Sequence, residues 1–481
     1  MNPLLQTLLC FAFATTSLST AIADDFTPLV SLRGDTTCDR CTGYLLPGKI
    51  ISSPESMYRI DSDLPEIFLS TGVLYSTAAT VPSFKTKDGT DVPAAQRIQH
   101  NNGFTTIDDS FEIFLYHMSN PAPGADPAKA PVSRRVVVYA HNTGTAPVSV
   151  APRQIMEAEG KMAKVDGPET RLSRRVFADQ WERVMRDVTI PPGEGRAIGW
   201  TPRLSVPRAK GAPAEPDTTS SDFVTGSIRA TVTPLGTKDN PSPPKPSIEV
   251  SVIGVNSDVP LDKLDTACES LRTTGAHSGE GGMDLLIPPP ECHVRRVVGV
   301  FHNFIWQSDP IVINAGTLAD SGIAFQMAAP RVQTPSCPQA RQTQDMLLYP
   351  GYVHPDTVGN YMVEYLITLT LANTTDTPRA IDLRFGKQDA DVGIAWQHII
   401  ADTPADRDAL KKLPVRAEWA GGWRKDDLAD NTRSFFADPK VAPAAAAPIT
   451  LAPGERKTIS LRLMPIGTSS LPFQLHIIPS K

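Results

Sequence analysis

Val136-Val137-Val138-Tyr139-Ala140-His141-Asn142-Thr143-Gly144-Thr145-Ala146-Pro147 is the stretch on which the reading of this chain turns. Alternate positions Val136, Val138 and Ala140 are apolar, Asn142 ends the run and Pro147 follows five residues later. About 230 residues on, Ile367, Leu369 and Leu371 lead to Asn373 and Pro378 in the same layout. Each copy has a second part. Val188 and Ile190 precede Pro192-Gly193-Glu194, with Ile198 and Trp200 beyond; Ile449 and Leu451 precede Pro453-Gly454-Glu455, with Ile459, Leu461 and Leu463 beyond. Counted from each Gly, apolar residues fall at minus five, minus three, plus five and plus seven in both copies. Period-two alternation is the signature of strands with one buried face, and its repetition predicts two related Ig-like antiparallel β-sandwich domains.

The residue types suit corners. Asn tolerates left-handed φ and its side chain bonds nearby backbone groups. Pro fixes φ and removes a donor where a strand begins at a sheet edge. In Pro-Gly-Glu, Pro presets the first turn position and Gly takes the positive φ of a type II turn. Glu194 and Glu455 therefore read as exposed turn acids rather than catalytic groups.

Pro accounts for 45 of 481 residues, and its exclusion from helix interiors and central strands favours sandwiches with long loops over a helical bundle. Strand-like runs are expected at Ile67–Tyr75, Phe111–His117, Val136–Ala140, Val148–Val150, Val188–Ile190, Ala197–Trp200, Phe223–Val232 and Ile248–Ile253. A second series covers Arg295–Phe301, Ile311–Asn314, Ile323–Met327, Met362–Leu371, Ile381–Phe385, Thr458–Leu463 and Phe473–Ile478. One short helix is expected in the first domain, where Phe177, Trp181, Val184, Met185 and Val188 form a helical stripe with Asp179 as N-cap. Trp181 reads as packed against the sheet.

Residues 1–23 carry no charged side chain and end in Ala21-Ile22-Ala23 before Asp24-Asp25, which matches a secretory signal although the usual Lys or Arg at its start is missing. The expected organisation is a signal at 1–23, an irregular segment at 24–60, a sandwich at 61–257, a Gly/Pro-rich linker at 258–293 and a second sandwich at 294–481. After Ala23 no apolar run reaches the length of a membrane span. A net charge of -6 offers no basic footprint for nucleic acid. The expected location is the periplasm, cell surface or medium.

Five cysteines remain in the expected mature chain, so one is unpaired. Cys38 and Cys41 read as a local disulfide; Thr42 after them excludes haem attachment. Cys268 and Cys292 would close a Gly-rich loop, stabilising by roughly 3 kcal/mol, with Cys337 an alternative partner for either.

No phosphate loop, nucleophile elbow or helical zinc motif is present, and no cofactor is expected. Cys292, His293 and His302 come nearest to a metal set, but they lie in a strand-like run where a thiolate would compete with disulfide formation. Asp108-Asp109 and Asp426-Asp427 are adjacent pairs whose side chains diverge on extended backbone. The interval from Pro378 to Pro453 is 75 positions against 45 from Pro147 to Pro192, and its extra length carries Trp396, Trp419 and Trp423. Long insertions on a sandwich are where contact surfaces are built, so these tryptophans are the candidate binding residues.

The runs Glu66–Thr77 and Phe111–His117, followed by Val136–Pro147, Pro191–Glu194, Val297–Trp306, Gly359-Asn360-Tyr361 and Leu451–Glu455 in that order, resemble a family of secreted bacterial proteins, domain of unknown function 3370. The resemblance implies export and a β-rich fold, and supplies no activity, ligand or catalytic residue. A structural or binding scaffold is the leading expectation, its partner an envelope protein or a glycan. Carbohydrate binding by Trp396, Trp419 and Trp423 is the first alternative. A hydrolase of envelope polymers using two distant carboxylates is the second.

Overall fold

The computed structural model describes residues 42–53, 57–63, 67–78, 99–120, 133–159, 172, 176, 181–205, 223–236, 241–274, 298–320, 322–327, 342–350, 356–357, 360, 362–387, 395–401, 424–425, 432–436, 448–464 and 473–480. The fold is mainly β. An N-terminal arm gives β1 (Thr42–Leu45) and β2 (Gly48–Ser52). The first half continues with β3 (Tyr58–Ser62), β4 (Ile67–Phe68), β5 (Gly72–Ser76), β6 (Gln99–Asn101), β7 (Phe111–Ser119), β8 (Ser133–Asn142), β9 (Val148–Glu159), β10 (Val188–Ile190), β11 (Gly195–Trp200), β12 (Leu204–Ser205), β13 (Phe223–Pro234) and β14 (Ile248–Asn256). Helix α1 (Leu264–Thr274) comes next. The second half has β15 (Val298–His302), β16 (Phe304–Ser308), β17 (Ile311–Asn314), β18 (Ile323–Met327), β19 (Leu348–Pro350), β20 (Glu364–Ala372), β21 (Arg379–Lys387), β22 (Ala395–Ala401), β23 (Arg424–Lys425), β24 (Thr432–Phe436), β25 (Ile449–Leu451), β26 (Arg456–Met464) and β27 (Phe473–Pro479).

Four sheets form two layered pairs. In the first pair a nine-stranded sheet, ordered β10-β9-β13-β7-β3-β15-β19-β6 with β4 beside β7, faces a five-stranded sheet, β11-β8-β14-β5 with β12 on β8. Ile60, Ile113 and Leu115 from one layer meet Val136, Val138, Val250 and Val252 from the other in a single buried core. The second pair sets β1-β18-β27-β21-β25 against an eight-stranded sheet, β2-β16-β20-β26-β22-β24-β23 with β17 on β20. Phe325, Leu383, Leu475 and Ile477 there pack with Trp306, Tyr365, Ile367, Leu369 and Ile459. This is the sandwich solution to burying one face of each sheet.

The repeat reaches beyond its motif into the strand order. The run β10-β9-β13-β7-β3 has its counterpart in β25-β21-β27-β18-β1, antiparallel at every step except the last, where β3 lies parallel to β7 and β1 parallel to β18. In the opposing sheets β8 pairs β11 and β20 pairs β26, both antiparallel. The expectation of purely antiparallel sheets fails at these last pairs. It also fails where β16 and β17 run parallel to β20 and where β4 runs parallel to β7.

The expected partition of the chain is crossed in both directions. Arm residues 42–52, read as irregular, supply the outermost strand of each sheet in the second sandwich. Strands β15 and β19, from beyond the expected linker, extend the nine-stranded sheet of the first. One antiparallel ribbon results: β2 pairs β16 in one sandwich and β3 pairs β15 in the other. Between them Asn303 donates its amide N–H to Met57 O at 3.0 Å and its side-chain amide to Ser53 Oγ at 3.3 Å.

Leu172 and Val176 are helical, just before the stripe expected to form the first domain's helix, but the described residues of the stripe itself are not. Residues 177–180 lie outside the described residues, and Trp181–Asp187 is not helical. Glu182 instead exchanges two backbone hydrogen bonds with Gln154, at 2.8 and 2.9 Å, and Val188 opens β10. The open backbone of β9 competes successfully for this segment, since spacing that suits a helical stripe also suits a crossing segment. Helix α1 falls inside the expected linker and lays Leu264 and Cys268 on Val73, Val137, Tyr139 and Ile253, the outward face of the first five-stranded sheet. Asp265 accepts from Ala197 N–H at 2.7 Å and Glu269 from Tyr139 O–H at 2.9 Å, which fixes the helix in place.

Candidate functional site

The repeated Asn is a clamp between two corners. Asn142 takes the chain from β8 in one sheet to β9 in the other, and Pro191–Glu194 returns it from β10 to β11. Fully buried, Asn142 donates from Nδ2 to Ala146 O and Ile190 O, both at 2.9 Å, and accepts from Gly144 N–H through Oδ1. Its backbone N–H reaches Glu194 O and its carbonyl accepts from Gly193 N–H. The second copy repeats each bond. Asn373 donates to Thr377 O, Leu451 O and Ala452 O, accepts from Thr375, and exchanges backbone bonds with Glu455 and Gly454. Gly193 and Gly454 have φ of 73° and 72°, as the turn reading required. Neither Asn adopts positive φ; the side chain, not the backbone, explains the residue. Glu194 pairs with Arg196, and Glu455 accepts from Ala452 N–H, so both turn acids have local partners.

The densest chemistry among the described residues lies on the face of the nine-stranded sheet turned away from its own sandwich core. Register sets Arg229, Glu112 and Arg59 side by side on β13, β7 and β3, with Ser227 and Asp61 in the adjacent row. Glu112 accepts from Arg59 Nη1 at 2.7 Å, from Arg229 Nε and Nη2 at 3.1 and 2.9 Å, and from Ser227 Oγ at 2.9 Å. Asp61 has only Arg59 Nε, at 3.3 Å. That asymmetry sets the acidities. Burial pushes both carboxyls up, but two guanidiniums and a hydroxyl bring Glu112 below its ordinary value. Burial outweighs Arg59 at Asp61, and the nearby Glu112 charge adds to it, raising this carboxyl to about 6. Trp181 stacks on Arg229 at 4.5 Å, so it packs on the sheet as the sequence predicted.

A second polar pair, Ser62 Oγ and His117 Nε2 at 3.2 Å, has the atoms of a nucleophile and its base. Both residues are wholly buried, with Phe68 edge-on to the imidazole. Arg59, Asp61 and Glu112 are exposed by 2% or less. A reacting carboxylate or hydroxyl must meet its substrate, and these groups meet only protein. The sequence reading missed all five. Arg59, Asp61 and Glu112 alternate with Ile60 and Ile113 as a solvent-facing row would, and only the covering of that face by distant segments reverses it; Ser62 and His117 share the inward face of Ile60 and Ile113.

The candidate tryptophans are not assembled into one site among the described residues. Trp396 lies on β22, opposite Phe435 of β24 and Leu463 of β26, while residues 419 and 423 lie outside the described residues. Cys38, Cys41, Cys292 and Cys337 also lie outside them. Cys268, expected in a disulfide, is a free buried thiol. It sits on the face of α1 that packs against Val137 and Tyr139, and burial together with Asp265 raises its pKa to about 12. His302 stacks on Tyr58 at 5.1 Å, and no group of three metal-ligating side chains occurs among the described residues. Asp108 takes Tyr58 O–H and Lys245, and Asp109 accepts from Ser110 N–H, so the adjacent acids diverge as expected.

No protein-family model matches the chain, and no curated protein matches it. Among solved structures the chain is similar to the CUB1-EGF-CUB2 domain of human MASP-1/3, at 12% identity, covering 79% of this chain and 98% of that one. The TM-score is 0.15, and the likeness carries no further weight.

Proposed function

We propose that this chain is an exported scaffold that holds a binding surface on the second of two sandwiches. The observation that carries the reading is an asymmetry between the two copies of the repeated frame. Both have the five-strand order and the Asn clamp; among the described residues β11 is the last strand of its sheet, whereas in the second copy β22, β23 and β24, from between β21 and β25, extend the eight-stranded sheet beyond β26. A frame kept twice with one copy elaborated at a loop is how function is grafted onto a stable fold. Trp396 lies on that extension, and Trp419 and Trp423 fall between β22 and β23 in sequence. The buried ion row and the clamps serve the frame. The resemblance to domain of unknown function 3370 and the apolar leader support export.

The test is recovery of partners from envelope extract with the mature chain and with a W396A/W419A/W423A variant, each first shown to melt at the same temperature. Loss of the recovered partner in the variant is the expected result. Identical recovery from both removes the extension as the contact.

A further inference from the structure

The second sandwich is closed by a segment that belongs, in sequence, to the other end of the protein. Strand β1 occupies the place that β3 occupies in the first sandwich, parallel to the neighbouring strand at the end of the shared five-strand order. Strand β2 ends the opposing sheet against β16. Between them Leu46 is 2% exposed in the second sandwich's core, and its carbonyl accepts from Gln342 Nε2 at 3.1 Å, 296 residues away. Gln342 O is in turn held by Asn360 Nδ2 at 2.6 Å, and the same amide nitrogen reaches Tyr365 Oη at 2.6 Å. Asn360 has a φ of 45°, the left-handed region that a non-glycine residue occupies only where its surroundings hold it. The receiving groove is therefore shaped in advance: two strand edges, a seat for one leucine and a fixed amide above it.

We propose that residues Thr42–Ser52 form an exchangeable strap, and that the groove between the edges of β16 and β18 takes the strap of a second copy of this chain. A strap from another copy makes the same hydrogen bonds and seats the same leucine. The local concentration of the strap separates the closed monomer from a reciprocal dimer. The groove's chemistry selects this occupant: an extended segment parallel to β18, a buried leucine, then a segment antiparallel to β16. This inference stands independently of the Trp-bearing extension.

Ile51 and Ile305 are cross-strand partners in β2 and β16, which provides the test. Mature chains carrying Ile51→Cys or Ile305→Cys singly are mixed at high concentration, warmed below the melting temperature and mildly oxidised; the bridged peptides are then identified by mass spectrometry. The expected product is a covalent dimer joined between positions 51 and 305, absent from either variant alone. A chain carrying both cysteines should give a bridged monomer that no longer dimerises. Leu46→Ala, which empties the seat, should speed exchange by about tenfold or more. The bridge forming in the double variant but never in the mixture at any concentration overturns the proposal. A double variant that fails to bridge overturns the pairing on which it rests.

Discussion

At Asn142 and Asn373 a single amide joins two corners that the chain makes some fifty to eighty residues apart, with bonds to Ile190 O across 48 positions and to Leu451 O across 78. Removing it takes the amide from two carbonyls at Asn142 and three at Asn373, one of them buried in each copy, and from a turn N–H, so Asn142→Ala and Asn373→Ala should each cost about 2–4 kcal/mol in urea unfolding. Gly193→Ala should cost only about 1 kcal/mol, because its positive φ disfavours a side chain while nothing lies within 4 Å of the added carbon. An Asn142→Ala effect no larger than that of Gly193→Ala would contradict the clamp. Asp61 behaves differently. Its folded pKa is raised to about 6, above the unfolded value, so the unfolded chain ionises first as pH rises. Asp61 therefore takes stability away between about pH 4 and pH 6, by roughly 3 kcal/mol, and the loss persists above pH 6. Glu112, shifted down, works in the opposite sense, losing its contribution as pH falls through its lowered value. Asp61→Asn isolates the first effect: the variant should gain on the parent as pH rises from 4 to 6.5, and a constant difference across that range would refute it.

Among the elements, those built on period-two alternation with turn chemistry at both ends were legible in the sequence. Val188–Ile190, Ile311–Asn314 and Ile323–Met327 have the bounds expected of them, and β8, β9 and β13 merely run longer. The matched apolar positions Val136, Val138, Ile367, Leu369, Ile198 and Ile459 are all buried, as two equivalent cores require. What stayed hidden depends on long-range pairing. Strands β1, β2, β3 and β16 are short, and Arg59 and Asp61 make β3 look like a surface loop until a covering face is known. Helix α1 was concealed by its position beside Gly- and Pro-rich sequence, although Leu264, Cys268 and Leu271 share one helical face that packs on the sheet. The same packing explains the unpaired Cys268. Its thiol, with a pKa pushed up to about 12 and no exposure, should resist iodoacetamide in the native protein at pH 8 and react on unfolding. Rapid native alkylation, read by peptide mapping, would show that α1 does not lie on the sheet.

For the whole molecule, the crossed ribbon matters more than the count of sandwiches. Chain length and the repeat suggest two tandem domains joined by a linker. Instead β15 and β19 complete the nine-stranded sheet with residues from beyond position 293, and β1 and β2 complete both sheets of the second sandwich with residues from before position 61. Cutting at the expected boundary would leave the edges of β3, β16 and β18 without their partners and expose Leu46, Val298, Val300 and Leu348, all now buried. Unpaired strand edges beside apolar surface aggregate rather than fold. Fragments 24–293 and 294–481 expressed alone should therefore be insoluble or lack a cooperative melt, whereas the two produced together should assemble into a stoichiometric complex with the melting behaviour of the intact chain. The ribbon also predicts the form of that melt. Because strands of each half lie inside sheets of the other, the intact protein should unfold in one transition followed equally by far-ultraviolet dichroism and tryptophan fluorescence. Two well-separated transitions, or an independently folded half, would mean that β2–β3 and β15–β16 do not bind the two sandwiches together.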